Sequence, residues 1–493
     1  MKKTAFAIVA LLTFMLPHLS LARITCGPLV GDHMVLQQQT DVRLWGWTDR
    51  GAGTTITLRT SWHKGKLKVK SDAAGRWEFR IPTPKASFEP QTVTISDGHE
   101  KQTLSDVLFG EVWLASGQSN MEMPLHGFAN CPVENSAQHI LESIRYKGRL
   151  HFSTVAFSPH PEEVDTVTAA WQDCMPQTAR DFCAAAYFFG IRLTEALGCP
   201  VGVINSSLGA TRVEGWTPRD IVAAYPGENL TSDAYLGAHL VRPAYNVDRA
   251  LPSVFYNGMI HPLEPYTIRG FLWYQAEANI NSPQVYAERF VRMVGSWRQR
   301  WGLGDLPFYY VEICPYDYYW ARDKATAALM REAQFQAGEM LPRMGMVCTN
   351  DLVNKDYEYW QIHPCMKKEV GDRLCLWALG DTYGIRGIDY RYPVYRSMEV
   401  ETTQRGKQVR LTFDNAEDGF NRNVGIKGFE MCGPDSVWHE ASAGISGSQV
   451  TVFCQQVPEP VAVRYAFKSF QPGNLKANSG LPVIPFRTDK FPR

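Results

Sequence analysis

The chain lacks any excess of charge: over 493 residues, 50 Lys and Arg stand against 50 Asp and Glu, and no block of like charges interrupts the balance. That leaves no electrostatic footprint for nucleic acid, and no nucleic-acid partner is expected. The 11 cysteines include no Cys-x-x-Cys pair, which argues against a zinc ribbon or a dithiol redox motif. No metal and no organic cofactor is expected. The odd cysteine count supports no particular pairing, and Cys348 and Cys375, lying in apolar runs, read as small core residues. Beyond the first 22 residues no stretch is apolar and long enough for a membrane helix. Internal repeats, low-complexity tracts and protease motifs are absent too.

What is present is an ordinary globular composition, 45% hydrophobic and 20% charged, on a length that calls for two or three domains. The 14 Trp and 21 Tyr are generous. Most belong in a core, although exposed aromatics suit stacking on sugar rings. Residues 1–22 read as a signal peptide: Lys2-Lys3, an apolar run from Thr4 to Leu16, and small residues at Ser20 and Ala22. Cleavage there would remove two lysines and no acid. Arg23-Ile24-Thr25 before Cys26 lacks the small residues of a lipoprotein site, so the expectation is an exported protein, periplasmic or secreted, with no membrane insertion after cleavage.

Residues 23–105 alternate in period two, with turns at Asp49-Arg50-Gly51, Asp72 to Gly75 and Asp97-Gly98, which predicts an N-terminal β-sandwich. From 106 to 384 strands alternate with longer helical periods, the pattern of a parallel α/β sheet flanked by helices, with an insertion near 215–253. Helices are expected over Ser136–Tyr146, Thr178–Leu197, Pro283–Trp301, Ala325–Leu341 and Pro364–Leu379. Period two returns over 385–493, predicting a C-terminal β-rich region.

The centre of the chemistry is read at Val112-Trp113-Leu114-Ala115-Ser116-Gly117-Gln118-Ser119-Asn120-Met121. A short apolar strand is broken by Gly117 and delivers Ser119 onto a loop, where a serine serves as nucleophile if a base, an orienting acid and oxyanion donors meet it. Gly209, Gln275 and Asp351 each also fall just past a predicted strand, and the carboxyl ends of parallel strands are where α/β sheets collect their chemistry.

Nearly end to end, the chain resembles the sialate O-acetylesterase family, a branch of the SGNH hydrolases. The resemblance is carried by Asp32 to Gln37, Gly110 to Pro124, Ile204-Asn205-Ser206-Ser207, Tyr256 to Ile260, Trp273-Tyr274-Gln275, Ile362-His363-Pro364 and Pro485 to Asp489. It implies an SGNH-type sheet and an esterase that removes acetyl groups from sialic acid through an acetyl-enzyme. Ser119 is then the nucleophile and His363 the general base. Asp351 is expected to orient His363, with Asp356 and Glu358 as rivals. The Ser119 and Gly209 N–H groups and the Gln275 amide are expected to hold the oxyanion. Arg212 and Glu277 are expected to brace the loops as a pair or to touch substrate, Arg212 through a sialate carboxylate. Two departures stand out: Ala276 occupies a position where the family has glycine, and Trp360 one where many relatives have aspartate three residues before the histidine. The alternatives are an acetylesterase for xylan, pectin or another polysaccharide, and a carbohydrate-binding protein with a decayed hydrolase core. Oligomeric state is left open.

Overall fold

The computed structural model describes residues 24–241, 247–353, 360–404, 406–421 and 425–490. The expected signal peptide, Asp356 and Glu358 lie outside the described residues.

The molecule is mixed α/β, organised on one large sheet with helices on its faces and additional antiparallel sheets. Its axis is a 17-residue strand, Lys101–Gly117, whose second half is buried without interruption. Val201–Ser207 and Gly270–Tyr274 flank it in parallel, Leu150–Thr154 continues one side, and Phe308–Val311 and Met344–Val347 the other. Trp171–Asp173 closes the Leu150 edge antiparallel. Being covered on both faces, these strands read as continuous apolar runs rather than alternating ones.

The first half of Lys101–Gly117 belongs to a different neighbourhood. It pairs with Ser87–Ser96 and Val35–Gln37 of the N-terminal region, so the boundary expected at 105 falls inside a continuous strand. Thr55–Thr60 extends that neighbourhood, paired with Ser87–Ser96 and with Leu67–Lys70, and the remaining strands, Ile24–Cys26, Asp41–Thr48 and Arg76–Pro82, form a three-stranded antiparallel sheet. Past residue 390 two four-stranded antiparallel sheets follow, enclosing their own core around Val409, Phe429, Val450 and Tyr465.

The helices follow local chemistry. Pro283–Trp301 begins on a proline, whose missing N–H costs nothing in a first turn, and stops at Gly302 with φ 66°. Its Tyr286, Phe290, Val294, Trp297 and Trp301, spaced three or four apart, face the core beside Trp273 and Phe308. The single helix expected over Thr178–Leu197 is two: Pro176–Ala179 and Ala184–Leu197. The break falls where Leu125 and His126 bond to the Phe182 and Arg180 carbonyls, drawing that backbone out of helical pairing. All 11 cysteines are unbridged, and Cys348 and Cys375 are buried. Among the described residues no helix is long and apolar enough to cross a membrane.

Candidate active site

Gly117 ends the central strand at φ 137°, and a Cβ there would sit 2.2 Å from the Tyr274 carbonyl oxygen. Only glycine permits that approach. Gln118 then donates its N–H to the same carbonyl at 2.9 Å, and the Gln118 carbonyl accepts from the N–H groups of Met121 and Glu122. Those bonds wind Ser119–Glu122 into one helical turn, so Ser119 opens a short helix rather than sitting on the expected loop.

His363 lies 244 residues away in sequence, between Ile362 and Pro364 and just ahead of helix Lys367–Trp377. Its Nε2 is 2.8 Å from Ser119 Oγ. Phe128 abuts the imidazole edge-on at 5.3 Å between ring centroids. Burial, reinforced by the Lys367 ammonium, pushes the imidazole down to about 4, so the ring is neutral at physiological pH. Ser119 and His363 both line a cavity of about 500 Å³, walled by Gln118, Arg212, Glu277, Asn279, Trp320 and Ile362. A neutral imidazole in contact with a serine hydroxyl at such a cavity is the arrangement that general-base activation of a nucleophile requires. Among the described residues no group of three or more His, Cys, Asp or Glu side chains is disposed to hold a metal ion.

The structure gives Asp351, expected to orient His363, other partners. Arg373 grips it bidentately, 2.8 Å to each carboxylate oxygen, and Lys476 adds a contact at 2.5 Å. Although burial works the other way, these two cations hold its carboxyl below the ordinary range. Two of the three expected oxyanion donors are also occupied. The Gly209 N–H donates to Glu122 Oε2 at 2.6 Å, and the Gln275 amide nitrogen donates to the Thr211 carbonyl and to Asn279 Oδ1, with Tyr286 donating to Gln275 Oε1. Gln275 is fully buried, a brace between loops rather than a donor to the cavity. The third, the Ser119 N–H, bonds to no group among the described residues. Arg212 and Glu277 do not pair with each other. Arg212 meets Glu214 at 3.1 Å and Glu228 at 2.5 Å, while Glu277 accepts from Asn120 at 2.6 Å.

Ala276 adopts φ 154°, in glycine's territory, and its methyl is buried in the core rather than narrowing the cavity. Trp360 is exposed. The sequence reading missed Glu122, Glu214 and Asn279, which saturate the expected donors, and Asn120 and Lys367 beneath the Ser119–His363 pair. Asn120 sat in plain view inside the serine motif. Lys367 offered no local signal, since only the fold brings it to Asn120.

Comparison with known proteins places these observations in a family. The profile described as carbohydrate esterase, sialic acid-specific acetylesterase matches residues 109–375. The sialate O-acetylesterase of Mus musculus is 27% identical over 430 residues, covering 78% of each chain. That of Homo sapiens is 28% identical over 394 residues, covering 75% of this chain and 73% of its own. Among solved structures, a carbohydrate acetylesterase from Xanthomonas citri superposes with a TM-score of 0.82 at 29% identity, over 95% of this chain and all of that one. The chain is a carboxylic ester hydrolase belonging to the carbohydrate esterase family of sialic acid-specific acetylesterases.

Proposed function

We propose that the protein is an exported serine esterase that hydrolyses O-acetyl esters of sialic acids by way of an acetyl-enzyme. The observation that carries the serine mechanism is the 2.8 Å contact between Ser119 Oγ and a neutral His363 Nε2 at the cavity. Ser119 attacks the acetyl carbonyl while His363 takes the hydroxyl proton. The tetrahedral intermediate collapses, His363 returns the proton to the departing sugar oxygen, and the acetyl group stays on Ser119. Water, deprotonated by the same imidazole, then releases acetate. The Ser119 N–H, bonded to no described group in a residue that lines the cavity, is the first donor for the oxyanion. Export rests on the signal-like residues 1–22, and the sialate substrate on the names of the mammalian relatives.

One observation favours a second reading, an acetylated neutral saccharide. Arg212, the arginine on the cavity wall, already serves the carboxylates of Glu214 and Glu228, which leaves little charge for a sialate carboxylate. Acetate release from O-acetylated sialic acid and from acetylxylan, measured side by side, separates the two. Ser119→Ala should abolish both activities without altering the fold, and undiminished turnover in that variant would overturn the nucleophile.

A further inference from the structure

The Ser119–His363 contact joins segments 244 residues apart, and something must hold the two backbones in register. Asn120 follows Ser119 directly and is almost wholly buried. Its Nδ2 donates to the carbonyl of Ile362 at 2.9 Å, the residue immediately before His363. One amide therefore ties the neighbour of the hydroxyl to the neighbour of the imidazole. The same Nδ2 donates to Glu277 Oε1 at 2.6 Å, and Oδ1 accepts from Lys367 Nζ at 2.6 Å. Both amide protons and the amide oxygen are used. A flip of the amide would set its NH2 against an ammonium and its oxygen against a carboxylate and a carbonyl, so one orientation survives.

The anchor beneath is fixed in turn. Lys367 is fully buried at the start of helix Lys367–Trp377, with its ammonium 5.2 Å from the Tyr274 ring centroid. Tyr274 is also the residue whose carbonyl receives Gln118 at the entrance to the serine turn. Burial pushes the Glu277 carboxyl up, while the Asn120 bond and the Lys367 charge oppose it. A buried ammonium and carboxylate sharing one amide form a rigid polar insert, costly to disturb and hence well suited to holding a geometry.

We propose that Asn120, pinned by Lys367 and Glu277, is the positioning residue that sets the nucleophile–base contact.

This inference rests on the serine mechanism above, so the test reads both. Steady-state hydrolysis of 4-nitrophenyl acetate is measured against pH for the full-length wild type, Ser119→Ala, Asn120→Leu and Lys367→Met, with labelling of Ser119 by a fluorophosphonate as a second readout. A displacement of the reacting groups by 1 Å costs on the order of 100-fold in rate. Asn120→Leu should accordingly lose about 100-fold in kcat and in labelling rate while KM stays within about threefold. Lys367→Met, which takes away the donor to Asn120 Oδ1, should lower kcat in the same direction, again with KM within about threefold. A merely structural role would lower stability without that kcat-against-KM split. Asn120→Leu within about threefold of wild-type kcat overturns the inference. Should Asn120→Leu fail to fold, Asn120→Asp, which still accepts from Lys367 but donates nothing to the Ile362 carbonyl, decides: a kcat loss of about 100-fold supports the proposal, and a kcat within about threefold of wild type overturns it. Undiminished hydrolysis by Ser119→Ala would instead sink the serine mechanism itself.

Discussion

Asp351→Asn separates a structural carboxylate from a catalytic one. In the structure Asp351 accepts two 2.8 Å bonds from Arg373 and one contact from Lys476. The Asp351 and Arg373 side chains are 4% and 9% exposed, Lys476 34%. Lys476 reaches solvent and regains hydration when its partner is neutralised, so the cost falls mainly on Arg373. Breaking one side of a buried pair costs about 3–5 kcal/mol, and the amide oxygen of asparagine still accepts one bond, which sets the expectation at the lower end, about 3 kcal/mol. At 2–4 °C per kcal/mol for domains of 150–250 residues, thermal unfolding should fall by roughly 6–12 °C. The pH dependence has a definite sign. Because the folded carboxyl titrates below its unfolded value, its stabilisation is complete above about pH 4 and fades as the pH drops through the folded value, where wild-type and variant melting curves converge. At 25 °C and neutral pH the folded variant should keep kcat within about threefold, whereas replacing the orienting acid of a serine triad by asparagine costs about 10⁴-fold. Differential scanning fluorimetry and acetate-ester kinetics read the two quantities on one preparation. A melting temperature like the wild type's together with a 10⁴-fold rate loss would refute the structural assignment of Asp351 and restore the sequence-based expectation.

Gln275→Leu should change kcat by less than about tenfold, short of the 10²–10³ expected for an oxyanion donor, and should lower stability by about 1–3 kcal/mol because Thr211, Asn279 and Tyr286 lose their partner; urea unfolding and ester kinetics measure both. Ala276→Gly relieves a backbone angle disfavoured for alanine and should leave the protein as stable or about 1 kcal/mol more so, and a drop in melting temperature would contradict the strain. Arg212→Gln strips a cation from two shielded carboxylates and should weaken turnover of sialate and neutral esters alike, whereas selective loss of the sialate substrate would assign Arg212 to substrate charge.

The parts of the fold readable in advance are those dictated by neighbours in sequence. Pro283 and Gly302 bracket a helix whose ends match the expectation, and the buried strands show as unbroken apolar runs. The Ser119 and His363 motifs were likewise legible because each carries its own local pattern, and the structure brings them into contact. Partnerships across the chain were not. Asp351 looked available at the end of its strand because Arg373 lies one helix later and Lys476 in a different sheet region. Gly209 and Gln275 looked like donors because Glu122, 87 residues before Gly209, and Thr211, 64 before Gln275, give no local sign that they will claim them. Arg212 is the middle case: Glu214 stands two residues off, but Glu228 arrives through the intervening loop. A polar side chain's availability depends on who else reaches it, and that is a property of the folded molecule.

The long central strand has a consequence for how far the protein can be trimmed. A polypeptide starting at residue 106 would strip Val35–Gln37 and Ser87–Ser96 from the backbone that carries the serine, leaving an unpaired β edge up to Gly110 on the strand that ends at Gly117. The amino-terminal sheets are thus not a detachable accessory, and any evolutionary shortening of the enzyme would have to come from elsewhere in the chain.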